Sequence, residues 1–510
     1  MEMQLTREEI RLEQPLGTGR ADAVVTGEVT LPGSLRDETR VLFATATAAV
    51  EQAEATRDRV NVRGRVMFHV LYSRGSETEP AAIEATADFT QPVALPGAQG
   101  RAIAQGRVQV QRVEARASGG RLNLRAEIAV SAQGCTHQPL EVITGVDGVD
   151  GVETKVHPAK LCTRVATGTG DVLLREELPL PQELQIRQTL FATAFPQVED
   201  VSGGVGRVGI SGHVLLEAVH ASALPGRPVV VTRHSIPFTQ SVEIAGGEGE
   251  QLDGAVVVRD VAVASQAEED GLTLRAEVLL GLEGSVDAAQ TLSVLEDAYT
   301  TEGDELRLTG QDVRLRAGSQ RARAAESGKA ALRLPDGAPP VRTVLAAFVQ
   351  PVWEEFESSG DRTVVSGTLC GTLLYMTDGS EIPVSHRFSE PFRTTFAAQT
   401  GPGALLTLTA TEAEATPVTS DRVEVRCVLR MEALTDEAET LRLITQGEVV
   451  GAEPLPDDLV LCYVQQGETL WDIARRYRVP VEGVRALNPE LRGEVAPGMG
   501  VVVWRRPVQA

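Results

Sequence analysis

The feature that most constrains this chain is that it says the same thing three times. A Leu-Pro pair occurs at Leu31-Pro32, Leu180-Pro181 and Leu334-Pro335, at intervals of 149 and 154 residues. A glycine-containing run follows each pair: VRGRVMFHVLY (62–72), VGISGHVLLEAVH (208–220) and VVSGTLCGTLLYM (364–376). A second matching pattern comes next, DFTQPVAL (88–95), PFTQSVEI (237–244) and PFRTTFAA (391–398). A third closes each copy: LNLRAEIAV (122–130), LTLRAEVLL (272–280) and VEVRCVLRM (423–431). Landmarks that keep both order and spacing mark an internal repeat, so the chain must build one unit three times.

Each run alternates with period two. Val62, Gly64, Val66, Phe68, Val70 and Tyr72 fall on one side of the first, with Arg63, Arg65 and His69 on the other. In the third pattern, Leu122, Leu124, Ala126, Ile128 and Val130 alternate with Asn123, Arg125 and Glu127. Successive strand side chains point to opposite faces, so these are strands with one buried and one wetted face. Breaks such as Leu95-Pro96-Gly97 and Asp378-Gly379 separate them. The expected fold is mainly β: three repeated antiparallel β-sandwich-like domains followed by a small βααβ domain.

The boundaries read as repeat 1 at 1–150, repeat 2 at 151–310, a linker at 311–333, repeat 3 at 334–450, a second linker at 451–459 and the last domain at 460–506. The arm LGTGRADAVVTGEVTLP (16–32) is echoed by VATGTGDVLLREELPLP (165–181). The third copy shows this poorly: residues 311–333 are polar and charged, hence their reading as a linker. Gly17-Thr18-Gly19 and Gly168-Thr169-Gly170 lack the lysine and the following helix of a phosphate loop and are read as turns.

Composition narrows the function. A net charge of −23 repels phosphate backbones and anionic lipid surfaces, so nucleic acid is not expected as a partner. No apolar stretch is long enough for a membrane span. The five cysteines, Cys135, Cys162, Cys370, Cys427 and Cys462, show no zinc spacing and fit buried thiols in a reducing compartment. The N-terminus shows no secretory signal, so a cytoplasmic location is expected. His213 and His220 lie seven apart in a strand and face opposite sides. No metal site, cofactor or catalytic constellation is expected.

The last fifty residues change character. Thr469 is placed to cap a helix, with Asp472 at the third helical position. Leu470, Ile473, Ala474 and Tyr477 make one apolar face. Pro480 stops that helix and starts a second, which Asn488-Pro489 ends. Val501, Val502 and Val503 form a closing strand. The segment closely resembles the LysM family along its length: Gly467-Glu468-Thr469-Leu470-Trp471, Ile473-Ala474, Leu487-Asn488-Pro489 and Pro497-Gly498 agree in order and spacing. The resemblance implies binding of peptidoglycan or other N-acetylglucosamine oligomers in a groove between the loop entering the first helix and the loop leaving the second. Carried over by motif, the groove residues are Gly467, Glu468, Thr469, Leu470, Asn488, Pro489, Glu490 and Leu491, with Gly498 nearby.

Strand-rich repeats followed by one LysM module resemble the LysM-containing spore-coat morphogenetic proteins, whose repeated domain has no assigned function. That resemblance implies a non-enzymatic structural protein of the spore envelope, located in the mother-cell cytoplasm at the forespore surface. Its implied partner is the basement-layer coat ATPase, bound through the LysM module. The alternative is a peptidoglycan-binding protein of cortex or cell wall.

Overall fold

The computed structural model describes residues 4–505 apart from 32–38, 75–79, 101, 148–150, 205, 246–248, 250, 269–270, 303–304, 452–457 and 492–494. Repeat 1 contains β1 (Gln4–Thr30), β2 (Thr39–Thr56), β3 (Arg59–Arg74), β4 (Ala81–Ala94), β5 (Ile103–Ser118) and β6 (Arg121–Asp147). Repeat 2 contains β7 (Val152–Pro179), β8 (Ile186–Gly204), β9 (Arg207–Ser222), β10 (Val229–Glu243), β11 (Gln251–Glu268) and β12 (Gly271–Thr300). Repeat 3 contains β13 (Glu305–Arg333), β14 (Thr343–Ser359), β15 (Arg362–Met376), β16 (Val384–Phe396), β17 (Leu405–Thr419) and β18 (Arg422–Val450). The last domain is β19 (Leu459–Tyr463), α1 (Leu470–Tyr477), α2 (Val481–Leu487) and β20 (Gly500–Trp504).

All three repeats share one topology. Strands two, three and four form a meander, and strands one, six and five form the facing sheet, all pairs antiparallel. The alternation in the sequence is the reason. In repeat 1, Val62, Val66, Phe68 and Val70 from β3 meet Leu122, Leu124, Ala126, Ile128 and Val130 from β6 in one buried cluster. Repeats 2 and 3 build equivalent clusters around Val214, Leu216, Leu274 and Val278, and around Leu369, Leu373, Val425 and Leu429. The expected mainly β architecture, with a βααβ domain at the end, is the one observed.

The repeated glycine has a steric cause. A Cβ on Gly64 would stand 2.2 Å from the Ala49 carbonyl oxygen, on Gly212 2.0 Å from that of Gln197, and on Gly367 2.1 Å from that of Val352. Each of these carbonyls lies beside a bulge in the adjoining edge strand, at Val50/Gln52, Val198/Asp200 and Trp353/Glu355. The bulge pushes the edge backbone towards the central strand, and only a residue without a side chain leaves room.

Two sequence expectations need correction. Residues 311–333 are not a linker but most of β13, paired along its length with β18. Its inward side chains are Val313, Leu315, Ala322, Ala330 and Leu332, spaced by Arg, Gln and Glu. The tract reads as polar because its apolar stripe is small and is completed by residues distant in sequence, both in its own repeat and in the other two. Gly17-Thr18-Gly19 and Gly168-Thr169-Gly170 are likewise not turns between elements; they lie inside β1 and β7. A Cβ on Gly19 or Gly168 would fall 2.2 Å from the carbonyl oxygen of Ala94 or Glu243 respectively, so these glycines admit the end of the facing sheet. The linker expected at 451–459 falls mostly outside the described residues, and its last residue opens β19.

The first and last strands of each repeat overshoot the sandwich as a two-stranded ribbon. The three ribbons pack together: Val142 of repeat 1, Leu161, Leu292 and Val294 of repeat 2, and Val313, Leu315, Leu441 and Leu443 of repeat 3 share one core. A further layer joins Ile143, Leu295, Leu306 and Ile444. Away from the ribbons the meanders also converge, where Phe43 stacks on Phe348 at 3.8 Å and Phe191 lies 6.5 Å from Phe43. The repeats therefore form one body around a common centre.

Candidate functional site

The C-terminal module folds from local signals. The Thr469 hydroxyl accepts from the Asp472 amide at 3.3 Å and the Asp472 carboxylate accepts from the Thr469 amide at 2.8 Å, closing a capping box. Arg478 ends α1 in the left-handed region at φ 52°, and Pro480 is the N-cap of α2. Ile473, Ala474, Val484, Val501 and Val503 form the core. On α2, Val484 is buried and Leu487 is exposed.

The groove candidates divide into two groups. Gly467 at φ +80° and Gly498 at φ +86° make exposed turns, and Pro489 and Glu490 are exposed beyond α2. Leu470 and Leu491 both pack against the module's core and are half-buried. The polar side chains, by contrast, are engaged internally. The Glu468 carboxylate accepts from the Gln465 amide at 2.9 Å and pairs with Arg476. The Thr469 hydroxyl is held in the capping box. Asn488 is 1 % exposed: its amide donates to the Val484 and Val502 carbonyls and its carbonyl accepts from the Val502 amide, each at 2.7 Å. Asn488 thus ties α2 to β20 rather than standing at the surface. Residues 492–494, in the second loop, lie outside the described residues. The exposed surface at the helix ends is backbone together with Gly467, Pro489 and Glu490.

Sequence reasoning missed how the module is mounted. The Asp297 carboxylate, near the end of β12, accepts from Trp471 Nε1 at 2.8 Å and Arg475 Nη1 at 2.9 Å. Tyr299 Oη donates to the Val479 carbonyl at 2.8 Å, and its ring meets Trp471 edge-on at 5.0 Å. Arg478 donates to the Thr300 carbonyl at 3.1 Å and hydroxyl at 3.0 Å. Burial, with the charges of Glu153 and Asp297, raises the Tyr299 phenol above its usual pKa, so it stays a donor. Burial, with the neighbouring charge of Glu482 on α2, also raises the Glu153 carboxyl. The only sequence hint was the aromatic Tyr299 next to Thr300; nothing there links it to a tryptophan far along the chain.

A second constellation sits where sandwiches become ribbons. Arg316 is 0 % exposed and its guanidinium contacts Glu13 of repeat 1 at 3.1 Å, Asp436 of repeat 3 at 3.2 Å, and Asp287 of repeat 2. Arg164 reaches Asp287 at 3.1 Å. Burial works to raise the Asp287 pKa, but the hydrogen bond from Arg316 and the charges of Arg164 and Arg316 hold it below the usual carboxylate value. Cys135 lies 3.6 Å from Asp436, and burial, then that charge, pushes its thiol up, away from the reactive thiolate. The cluster is closed and its charges face one another, which suits a structural lock.

Residues 39–118, spanning β2 to β5, match the family model described as SipL, SPOCS domain, and residues 462–503 match the LysM domain model. The chain joins a SPOCS domain to a LysM domain. Neither the curated proteins nor the solved structures include a match to it. The SPOCS match lies within repeat 1, over its four inner strands, and repeats 2 and 3 carry the same strand order. The pairing is consistent with a LysM-containing spore-coat protein: it is sporulation-related and carries a module of the peptidoglycan-binding type. Both matched domains are binding domains. Among the described residues, no helix is long and apolar enough to cross a membrane.

Proposed function

We propose that this chain is a non-enzymatic scaffold of the spore envelope that docks through its LysM domain to a coat morphogenetic partner, the basement-layer ATPase of the coat, from the mother-cell side of the forespore. The observation that carries this reading is the mounting of the LysM domain on repeat 2 by Asp297, Tyr299 and Trp471. A module fixed to a large acidic body has its orientation set in advance, which lowers the ordering cost of docking the whole assembly. The polar groove side chains Glu468, Thr469 and Asn488 are already bonded internally, so a partner meets Gly467, Leu470, Pro489, Glu490, Leu491 and Gly498 as a shaped surface. The test is affinity purification from sporulating cells with the full chain and with residues 460–510 removed. Loss of the ATPase on truncation is the expected result; an unchanged partner list removes the proposal.

The LysM match itself supports a second reading, in which the same cleft grips N-acetylglucosamine glycan of cortex or wall through backbone groups. Titration with N-acetylglucosamine oligomers distinguishes the two. Saturable micromolar binding favours glycan, and no heat or shift up to millimolar sugar leaves protein docking as the function.

A further inference from the structure

The three repeats enclose a half-open cavity of about 1780 Å³, lined by all of them. Its wall is unlike the rest of the molecule. Ten arginines and eight glutamates line it, with neither aspartate nor lysine among the described lining residues, whereas the chain as a whole has a net charge of −23. Four of these arginines are neutralised by carboxylates just behind the wall, Arg65 by Asp88, Arg112 by Glu114, Arg259 by Asp171 and Arg430 by Glu412, so an anion could use only the arginines that lack such a partner.

At the seam between repeats 1 and 3 two of the lightly paired arginines stand together. Arg20 on β1 and Arg107 on β5 both pair with Ser131 of β6, so the two arginines occupy one row of the sheet. They lie two strand spacings apart, roughly 10 Å, with side chains on the same face. The Arg20 guanidinium sits 4.7 Å from the Trp353 ring centre of repeat 3 and has no carboxylate in salt-bridge range among the described residues. Arg107 is 14 % exposed, donates to the Gly106 carbonyl, and keeps Nη2 without a hydrogen bond, 4.0 Å from Glu432. Trp353 Nε1 and Gln109 Oε1 are also buried without a hydrogen-bond partner among the described residues, while Gln109 Nε2 crosses the seam to the Pro351 carbonyl at 2.8 Å. Buried polar atoms cost free energy until something bonds them, so two unpaired donors on one seam, Arg107 Nη2 and Trp353 Nε1, mark a place prepared for an acceptor.

We propose that this seam is a binding site for a small polyanion carrying carboxylate or phosphate groups, held between Arg20 and Arg107 with Trp353 donating from the opposite repeat. Such a ligand would bridge repeats 1 and 3 and tighten the body independently of the LysM domain. The experiment is titration of the full chain at low salt with citrate and, separately, inorganic tripolyphosphate, followed by tryptophan emission and calorimetry. Saturable binding whose emission change disappears in Trp353→Phe is expected, since the other tryptophans, Trp471 and Trp504, lie in the LysM domain. Binding of only one probe supports the site and assigns it to carboxylate or to phosphate. Arg20→Gln, at an exposed position, is expected to weaken binding about tenfold, the loss of one charge-assisted contact. Absence of saturable binding by either probe, or wild-type affinity in Arg20→Gln, overturns the proposal. Arg107→Gln adds a second reading of the same contact when that variant folds.

Discussion

Arg316 donates to Glu13 across 3.1 Å with both side chains sealed from solvent, at 0 % and 1 % exposure, and so joins the third repeat to the first at the centre of the molecule. The same guanidinium reaches Asp287 and Asp436, so one residue binds a carboxylate from each repeat. Arg316→Met leaves the three acids with only Arg164, which reaches Asp287, as a neighbouring cation. A loss of about 3–5 kcal/mol is expected, as for a buried pair stripped of one partner, read from urea unfolding of the whole chain. Because Asp287 is held below its ordinary pKa, its contribution is present at neutral pH and is lost as pH falls below the ordinary carboxylate value of about 4. Acid titration of the wild-type protein should therefore show destabilisation beginning in that range, with the slope reduced in Asp287→Asn.

The motif glycines give a steric prediction. Gly212→Ala puts a methyl 2.0 Å from the Gln197 carbonyl oxygen, which belongs to backbone and has little room to move. A destabilisation of about 2 kcal/mol or more is expected, with the same sign for Gly64→Ala and Gly367→Ala. In contrast Gly170→Ala meets nothing within 4 Å and should change the melting temperature little. Thermal melts of the four variants test the ranking.

Asn488 separates folding from binding in the LysM domain. Its side chain makes three bonds to backbone at 2.7 Å. Asn488→Ala orphans those buried groups and should destabilise the domain by about 2–3 kcal/mol, seen as earlier loss of its amide protection in hydrogen exchange. Glu490→Gln, on the exposed lip, should leave that protection unchanged. A binding defect in Glu490→Gln with intact protection would mark a true contact.

The mounting of the LysM domain should be separable from its fold. Asp297→Ala removes the acceptor for both Trp471 and Arg475, and Tyr299→Phe removes the donor to Val479. The double variant is expected to loosen the domain from repeat 2, increasing the maximum dimension in small-angle scattering, while the melting of the repeats stays unchanged. An unaltered scattering profile would show that the dock does not depend on these bonds.

Much of the fold was legible along the chain. Period-two alternation in 62–72, 122–130 and their copies gave strands and their buried faces, because strand geometry maps sequence parity directly onto side. The LysM motifs were equally local: a capping box, a helical stripe and a proline stop are settled within a few residues. Reading 311–333 as a linker failed because the apolar stripe of β13 is thin and is completed by Leu161, Leu292 and Leu443, far away in sequence.

What the sequence determined by itself was the unit, its threefold repetition and the terminal LysM domain, since each is written in short-range pattern. What the tertiary structure decided was how those units combine. Glu13, Cys162 and Arg316 each stand eighteen residues before their Leu-Pro, so the repeats look alike in outline and differ at that site. Only when the ribbons converge does the Arg316 cation find Glu13, Asp287 and Asp436, and only then does Asp297 come under Trp471. Such pairings depend on distance through space in a medium without water, and a sequence holds no record of that distance until the chain is folded.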